Sequence, residues 1–170
     1  NNFKKKTYIY KDEYKYDLIY VITALSKGKK QCNVFINFIK YLNDINSQLN
    51  ICVIIKYKED LDKLTSIRYP NLTIIINPTT ITNYMLDAKC GLITSSKDAQ
   101  PRIICELIQH NCYLIVFNTL TNGKHLIKSP IGTIINVPTI YKNQHYIYHE
   151  TTTNNTKIFN EIISIISNYK

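Results

Sequence analysis

The amino-acid sequence predicts a doubly wound α/β domain, a mainly parallel sheet of six strands with helices on its faces. Three observations predict it. Six short apolar runs alternate with amphipathic stretches, and each parallel return needs such a crossover. The 170 residues, 45% of them hydrophobic, are enough for one ordinary domain to bury a core without cross-links. Only 4 Gly and 5 Pro leave little room for long linkers, so residues 1–170 read as a single domain.

The elements follow in order. Residues 1–16 are a polar lead-in, in which Tyr8 to Tyr16 could add an edge strand. Asp17 to Thr23 is almost continuously apolar, as expected of a strand covered on both faces. Ser26-Lys27-Gly28-Lys29-Lys30 is a loop. Val34, Phe35, Phe38, Ile39, Leu42 and Ile45 then recur at helical spacing, giving an amphipathic helix over about residues 31–46. Asn50 to Lys56 is the second strand. Leu61, Leu64 and Ile67 mark a short helix that Pro70-Asn71 breaks, and Leu72 to Ile76 is the third strand. Thr79 to Ala88 reads as a helix with Ile81, Tyr84, Met85 and Ala88 inward. Gly91 to Ser95 is a short strand ending in small polar residues.

Pro101 stands where the first turn of a helix tolerates proline, and Ile104, Leu107 and Ile108 then face the core. Asn111 suits the left-handed position that ends a helix. Tyr113 to Phe117 is a strand, a loop with a short helix crosses Thr119 to Lys128, and Thr133 to Val137 is the last strand. Ile158, Phe159, Ile162, Ile163 and Ile166 share one face of a closing helix over residues 155–169. No internal repeat is visible.

Composition narrows the function classes. Tyr, Ile, Asn and Lys crowd the chain and Trp is absent. All four have AT-rich codons, which points to a low-GC genome such as that of a large DNA virus or an AT-rich protist. The net charge of +9 would suit nucleic acid or an anionic membrane. Yet the lysines are scattered, clustering only at Lys4-Lys5-Lys6 and Lys27 to Lys30, and no RNA-recognition signature accompanies them. They read as a solvated surface, so no specific nucleic-acid partner is expected. Cys32, Cys52, Cys90, Cys105 and Cys112 show no zinc-like spacing, and their odd count favours a reducing compartment. With no signal peptide and no run long enough to span a bilayer, the expected location is cytoplasmic or cytosol-facing. The polar start without Met reads as a piece of something longer.

In a doubly wound sheet the binding crevice lies at the carboxyl ends of the strands. The lysine-rich turn Lys27 to Lys30 leads into a helix N-terminus there, a setting that suits a phosphate. An exposed loop of a lysine-rich protein has the same composition. The stretch after Thr94 is sharper. Asp98 lies in the loop, and Glu106 follows eight positions on, in a helix entered through Pro101. An acid in an apolar helical stretch is costly unless partnered, and a vicinal diol of a sugar offers a carboxylate two hydrogen bonds. Plain structural roles stand beside these. Asp98 would suit a helix N-terminus through the dipole, and Glu106 an exposed helix position or an ion pair with Arg102. His110, His125, His145 and His149 have no acid or nucleophile beside them in sequence and read as surface or capping groups.

The segment Ser95-Ser96-Lys97-Asp98-Ala99-Gln100-Pro101 resembles the donor-site signature of retaining GT-B-fold glycosyltransferases, Ser-x-x-Glu-Gly-x-Pro before an apolar helix bearing a second Glu. The spacing of the two acids is kept as Asp98 and Glu106. Asn111-Cys112 stands where that family has Gly and a small residue. Asn122-Gly123 and Gly132-Thr133-Ile134-Ile135 fall at its Gly-containing loop and Gly-Leu-Val strand, and Ser26-Lys27-Gly28 near its Lys-Gly. The resemblance implies a Rossmann-like domain, the C-terminal half of a GT-B fold, that binds a nucleoside-diphosphate sugar for transfer to an unknown acceptor. By it Glu106 would hold the ribose and Asp98 would face the sugar. Lys27 or Lys30 would take the pyrophosphate, and Gln100 and Pro101 would belong to the same nucleotide-sugar-binding set. It further implies a missing N-terminal acceptor domain and no metal cofactor.

Two departures stand out. Asp98 is one methylene shorter than Glu, and no Arg occupies the strand-to-loop position near Thr23 and Ala24. The alternative is accordingly a degenerate, non-catalytic relative serving as a ligand-binding or scaffold module. A dinucleotide oxidoreductase is disfavoured because no Gly-x-Gly-x-x-Gly follows the first strand.

Overall fold

The apolar runs come together because each is too apolar to face water on either side, and a parallel sheet between helical layers covers both. The computed structural model describes residues 13–22, 31–96, 102–121 and 123–169. Strands β1 (Tyr16–Ile22), β2 (Ile51–Ile55), β3 (Leu72–Ile76), β4 (Ala88–Ile93), β5 (Tyr113–Phe117) and β6 (Gly132–Ile135) form one parallel sheet in the order β3-β2-β1-β4-β5-β6. Leu18 of β1 pairs with Ile51 on one side and Cys90 on the other. The strand order therefore reverses between β1 and β4.

Alternate residues feed two cores. Leu18, Tyr20 and Ile22 of β1, Val53 of β2 and Phe117 of β5 face helices α1 (Cys32–Asp44), α2 (Leu61–Thr65) and α5 (Thr152–Asn168). Ile19, Ile54, Ile93 and Val116 face α3 (Thr82–Leu86) and α4 (Arg102–Gln109). Helix α4 comes close to the sheet over Gly91, where a Cβ would lie 2.8 Å from Leu107 Cδ1. Asn46 and Asn111, at φ 53° and 61°, end α1 and α4 in the left-handed conformation. Ser47 N–H then donates to the Leu42 carbonyl and Cys112 N–H to that of Leu107, which satisfies carbonyls the helix ends leave open.

The expected sheet is present, and strands β1, β2, β3 and β5 match their expected ranges to within a residue. Strand β6 ends two residues early. Three local readings are corrected. Thr79 to Ala88 is not one helix: α3 covers only Thr82–Leu86, and Ala88 opens β4 by pairing with Tyr16. Pairing along the central strand wins over helix continuation there, and β4 ends at Ile93, ahead of the expected Ser95. Tyr16 belongs to the interior strand β1, not to an edge strand, and residues 1–12 of the lead-in lie outside the described residues. Finally, β7 (Thr139–Lys142) and β8 (His145–Tyr148) form an antiparallel hairpin that the sequence reading lacked. Its turn places Asn143 and Gln144 at φ 53° and 66°, the left-handed pair that a two-residue hairpin turn requires, with no glycine to announce it. The closing helix α5 starts at Thr152, where the Thr151 hydroxyl accepts from Asn154 N–H.

Candidate functional site

Two connections leave the sheet side by side at the reversal between β1 and β4, where a doubly wound sheet opens a crevice. Residues 23–30 run from β1 to Gln31 at the start of α1, and residues 97–101 run from Ser96 to α4. Lys27, Lys30, Asp98, Gln100 and Pro101 fall in these two connections and lie outside the described residues, as do Thr23 and Ala24. Of the six candidate residues Glu106 alone is described. It is half-buried on α4, between the buried side chains of Ile104 and Leu107. Its carbonyl accepts from His110 N–H and lies 2.6 Å from His110 Nδ1, so His110 has the capping role expected of it.

The stems of both connections are described, and they converge. Strand β4 does not end in solvent. Thr94, Ser95, Ser96 and Thr119 are the buried polar residues among those described, and all four lie at this corner. Buried hydroxyls and carbonyls need partners. The Tyr20 and Thr94 hydroxyls are 2.6 Å apart, and Thr119 Oγ1 donates to the Ser95 carbonyl at 3.0 Å. Gln31 Nε2 donates to the Thr94 carbonyl at 2.5 Å and to Thr119 Oγ1 at 3.1 Å. Gln31 Oε1 accepts from Tyr148 N–H of the hairpin at 2.8 Å.

Tyr20 stacks on Phe35 with ring centres 4.1 Å apart. Burial pushes its phenol well above the ordinary range, and the neighbouring Cys32 pushes the same way against the hydrogen bond from Thr94. Tyr20 is therefore a neutral brace rather than a base. Beside it a small cleft is lined by Ile19, Val21, Ile93, Ser95, Ile103 and Leu107, an apolar wall with a hydroxyl rim. The cysteines are all free. Burial raises the Cys52 and Cys90 thiols to about 12, so they fill the core as small neutral groups. Among the described residues no group of His, Cys, Asp and Glu could hold a metal ion, and no helix is long and apolar enough to cross a membrane.

Sequence reasoning missed Gln31, Thr119 and Tyr148. Gln31 bonds to partners 63, 88 and 117 positions away, so no local pattern marks it. The small polar run Thr94-Ser95-Ser96 was the visible signal.

No family model matches the sequence, and no curated protein matches it. Solved structures do. TarM superposes with a TM-score of 0.70 at 15% identity, over 98% of this chain and 31% of its own. The fold is shared with GT-B glycosyltransferases. WaaG, a glycosyltransferase involved in lipopolysaccharide biosynthesis, matches at 0.63 and 11% identity, over 92% of this chain and 39% of its own. The pneumococcal O-GlcNAc transferase GtfA, solved with UDP and GlcNAc, matches at 0.59 and 11% identity, over 91% and 28%. At such identities the likeness is one of fold. The chain spans 31%, 39% and 28% of these three chains, about a third of each.

Proposed function

We propose that this chain is the nucleotide-sugar-binding domain of a glycosyltransferase. One observation carries the reading. Strand β4 passes through buried Thr94, Ser95 and Ser96 into an acid-bearing connection and then into α4 with Glu106, beside β1 at the reversal of strand order. The shared fold supports it. In this reading Glu106 accepts hydrogen bonds from the ribose hydroxyls and Asp98 meets the sugar. Lys27 or Lys30 and the start of α1 offset the pyrophosphate charge without a bound metal. Gln100 and Pro101 complete the donor-binding set. The full enzyme breaks the bond between the sugar's anomeric carbon and the diphosphate oxygen; the nucleoside diphosphate leaves, and the unknown acceptor, held by an N-terminal domain, gives up a proton and takes the sugar. Five free thiols support a reducing, cytosol-facing location.

Calorimetry with UDP, other nucleoside diphosphates and their sugar conjugates tests this. The chain is expected to bind at least one of them and to transfer nothing alone. Glu106→Gln keeps the shape and removes the charge, so affinity falls roughly tenfold or more, on the order of 1.5–3 kcal/mol. Asp98→Asn weakens the sugar conjugate more than the bare diphosphate. Lys27→Ala and Lys30→Ala, compared, identify the pyrophosphate lysine. If the folded chain binds none of the panel at millimolar concentration, the degenerate scaffold is the better reading. The short Asp98 and the absence of Arg near Thr23 and Ala24 favour that second reading.

A further inference from the structure

We propose that Gln31 is the positioning residue of this crevice: one carboxamide ties the end of the first connection to the stem of the second and to the base of the hairpin. The inference rests on the donor-binding reading and deepens it. Gln31 is the residue that follows the lysine-bearing segment, and Thr94 to Ser96 immediately precede the segment with Asp98. Gln31 Nε2 reaches both the Thr94 carbonyl and Thr119 Oγ1, and Thr119 Oγ1 passes the bond on to the Ser95 carbonyl. Oε1 takes Tyr148 N–H. Four chain segments, the start of α1 and the ends of β4, β5 and β8, therefore meet on one planar group.

The chemistry selects glutamine. Two donors and one acceptor are used in a fixed plane. Asparagine is one methylene short, and glutamate loses both donors while facing the Thr94 carbonyl with a negative charge. The backbone gives an independent sign. Gln31 sits at φ 52° and ψ 43°, a left-handed conformation that costs a side-chain-bearing residue energy and persists where the surroundings over-determine it. The third segment is itself fastened. The Tyr148 ring packs edge-on against Phe117, and its hydroxyl donates to Asn155 Oδ1 at 2.7 Å. The seating of the hairpin and the spacing of Gln31 from the end of β4 are thus one coupled geometry.

The test uses UDP as the probe and the whole chain as it exists. At pH 8 Gln31→Glu is expected to lower UDP affinity about tenfold or more, because both donors are gone and a carboxylate opposes the Thr94 carbonyl. At a pH low enough to protonate it, the introduced carboxyl again donates to that carbonyl and accepts Tyr148 N–H, so affinity recovers relative to wild type at the same pH. Titratable neighbours are Tyr20 of β1, Cys32 of α1, and Tyr148, His149 and Glu150 at the hairpin's end, with Lys27, Lys30 and Asp98 nearby in sequence. Their own titration divides out in the comparison with wild type. Thr119→Val removes one arm at nearly constant volume and is expected to cost about threefold to fivefold. Hydrogen exchange should show protection falling at residues 94–96 in both variants, with β2 and β3 unchanged. Unchanged UDP affinity in folded Gln31→Glu at pH 8 overturns this inference and leaves donor binding standing. If Gln31→Glu does not fold, unchanged affinity in Thr119→Val overturns it equally. A wild-type chain that binds no nucleotide overturns donor binding itself, and this role with it.

Discussion

Two neighbouring corners of the same sheet edge end very differently. After β2 the chain meets water at once: Lys56, Tyr57 and Lys58 are all exposed, with the Lys56 ammonium 5.4 Å from the centre of the Tyr57 ring. Beside it, β3 ends on Ile76, which is 42% exposed. After β4 the backbone stays buried for three more residues, Thr94 to Ser96, and after β5 Thr119 and Leu120 are buried too. The hydrogen bonds differ in the same way. At the β4 corner they join residues 24 to 117 positions apart. The difference teaches where this fold places its precision. Among the described residues the fully buried polar ones lie where several segments meet, and each partner their hydroxyls and carbonyls take adds a constraint. At the β2–β3 corner the bonds are main-chain ones, Lys56 N–H to the Ile22 carbonyl and Asn77 N–H to the Ile55 carbonyl, and the side chains turn out to solvent.

The contrast breaks most visibly at Phe117, which closes β5 with no exposed surface and meets Tyr148 edge-on at 5.5 Å. Phe117→Ala removes a buried ring and leaves a cavity under the hairpin. The expected cost is about 3–5 kcal/mol in denaturant unfolding. A cost below about 1 kcal/mol would mean that the hairpin base collapses into the gap and that the corner is not rigid.

A smaller effect belongs to Thr94. Thr94→Val keeps the volume but removes the hydroxyl that pairs with Tyr20 at 2.6 Å. The expected loss is about 1–2 kcal/mol. Tyr20→Phe removes the opposite partner, and the double variant should cost less than the sum of the two, since they delete one shared bond. Additive losses in the cycle would show that the two hydroxyls act separately.

Much of the fold was legible because it follows from local periodicity. Leu18 to Ile22 and Ile51 to Ile55 are uniformly apolar, and so short an apolar run is what a strand covered on both faces needs. Asn111 could be read as a helix stop because the left-handed conformation is a property of that residue type. Ala88 could not be placed, since its strand state depends on Tyr16, far away in sequence. The hairpin was hidden for a different reason: Asn143-Gln144 adopts a turn that sequences usually mark with glycine. The site divides in the same way. Asp98 and Glu106 are candidates that their spacing marks in the sequence, whereas Gln31 looks like any polar residue before a helix until its three distant partners are known.

The thiols sharpen the comparison by chemistry. Cys52 in β2 and Cys90 in β4 are both held near 12 by burial, so the folded state favours the neutral thiol. The sign follows from linkage. The stability this contributes is fully present below the unfolded value near 9 and is lost as pH rises through about 12. In the native protein at pH 8 a thiol reagent should therefore modify half-buried Cys105 first, with Cys52 and Cys90 reacting only after unfolding. Native labelling of Cys52 alone would show that β2 and β3 open far more readily than β1 and β4.

The smallest effect is expected at Ile76, and it is informative for that reason. This side chain ends β3 at the exposed corner, 42% accessible, on the same sheet edge as the crevice. If the carboxyl edge were uniformly organised for a ligand, Ile76→Ser would disturb both stability and nucleotide binding. In the divided arrangement it should do neither. Serine gives up part of an apolar contact already half in water, and the ladder bonds of β3 to β2 are main-chain bonds that the substitution leaves in place. The unfolding free energy should move by no more than about 0.5 kcal/mol, the usual range for a surface change. UDP affinity should stay at the wild-type value, because Ile76 shares none of the bonds that join Gln31, Thr94, Thr119 and Tyr148. A severalfold loss of affinity in a variant of unchanged stability would place the ligand across β2 and β3 as well, and would move the crevice away from the reversal between β1 and β4.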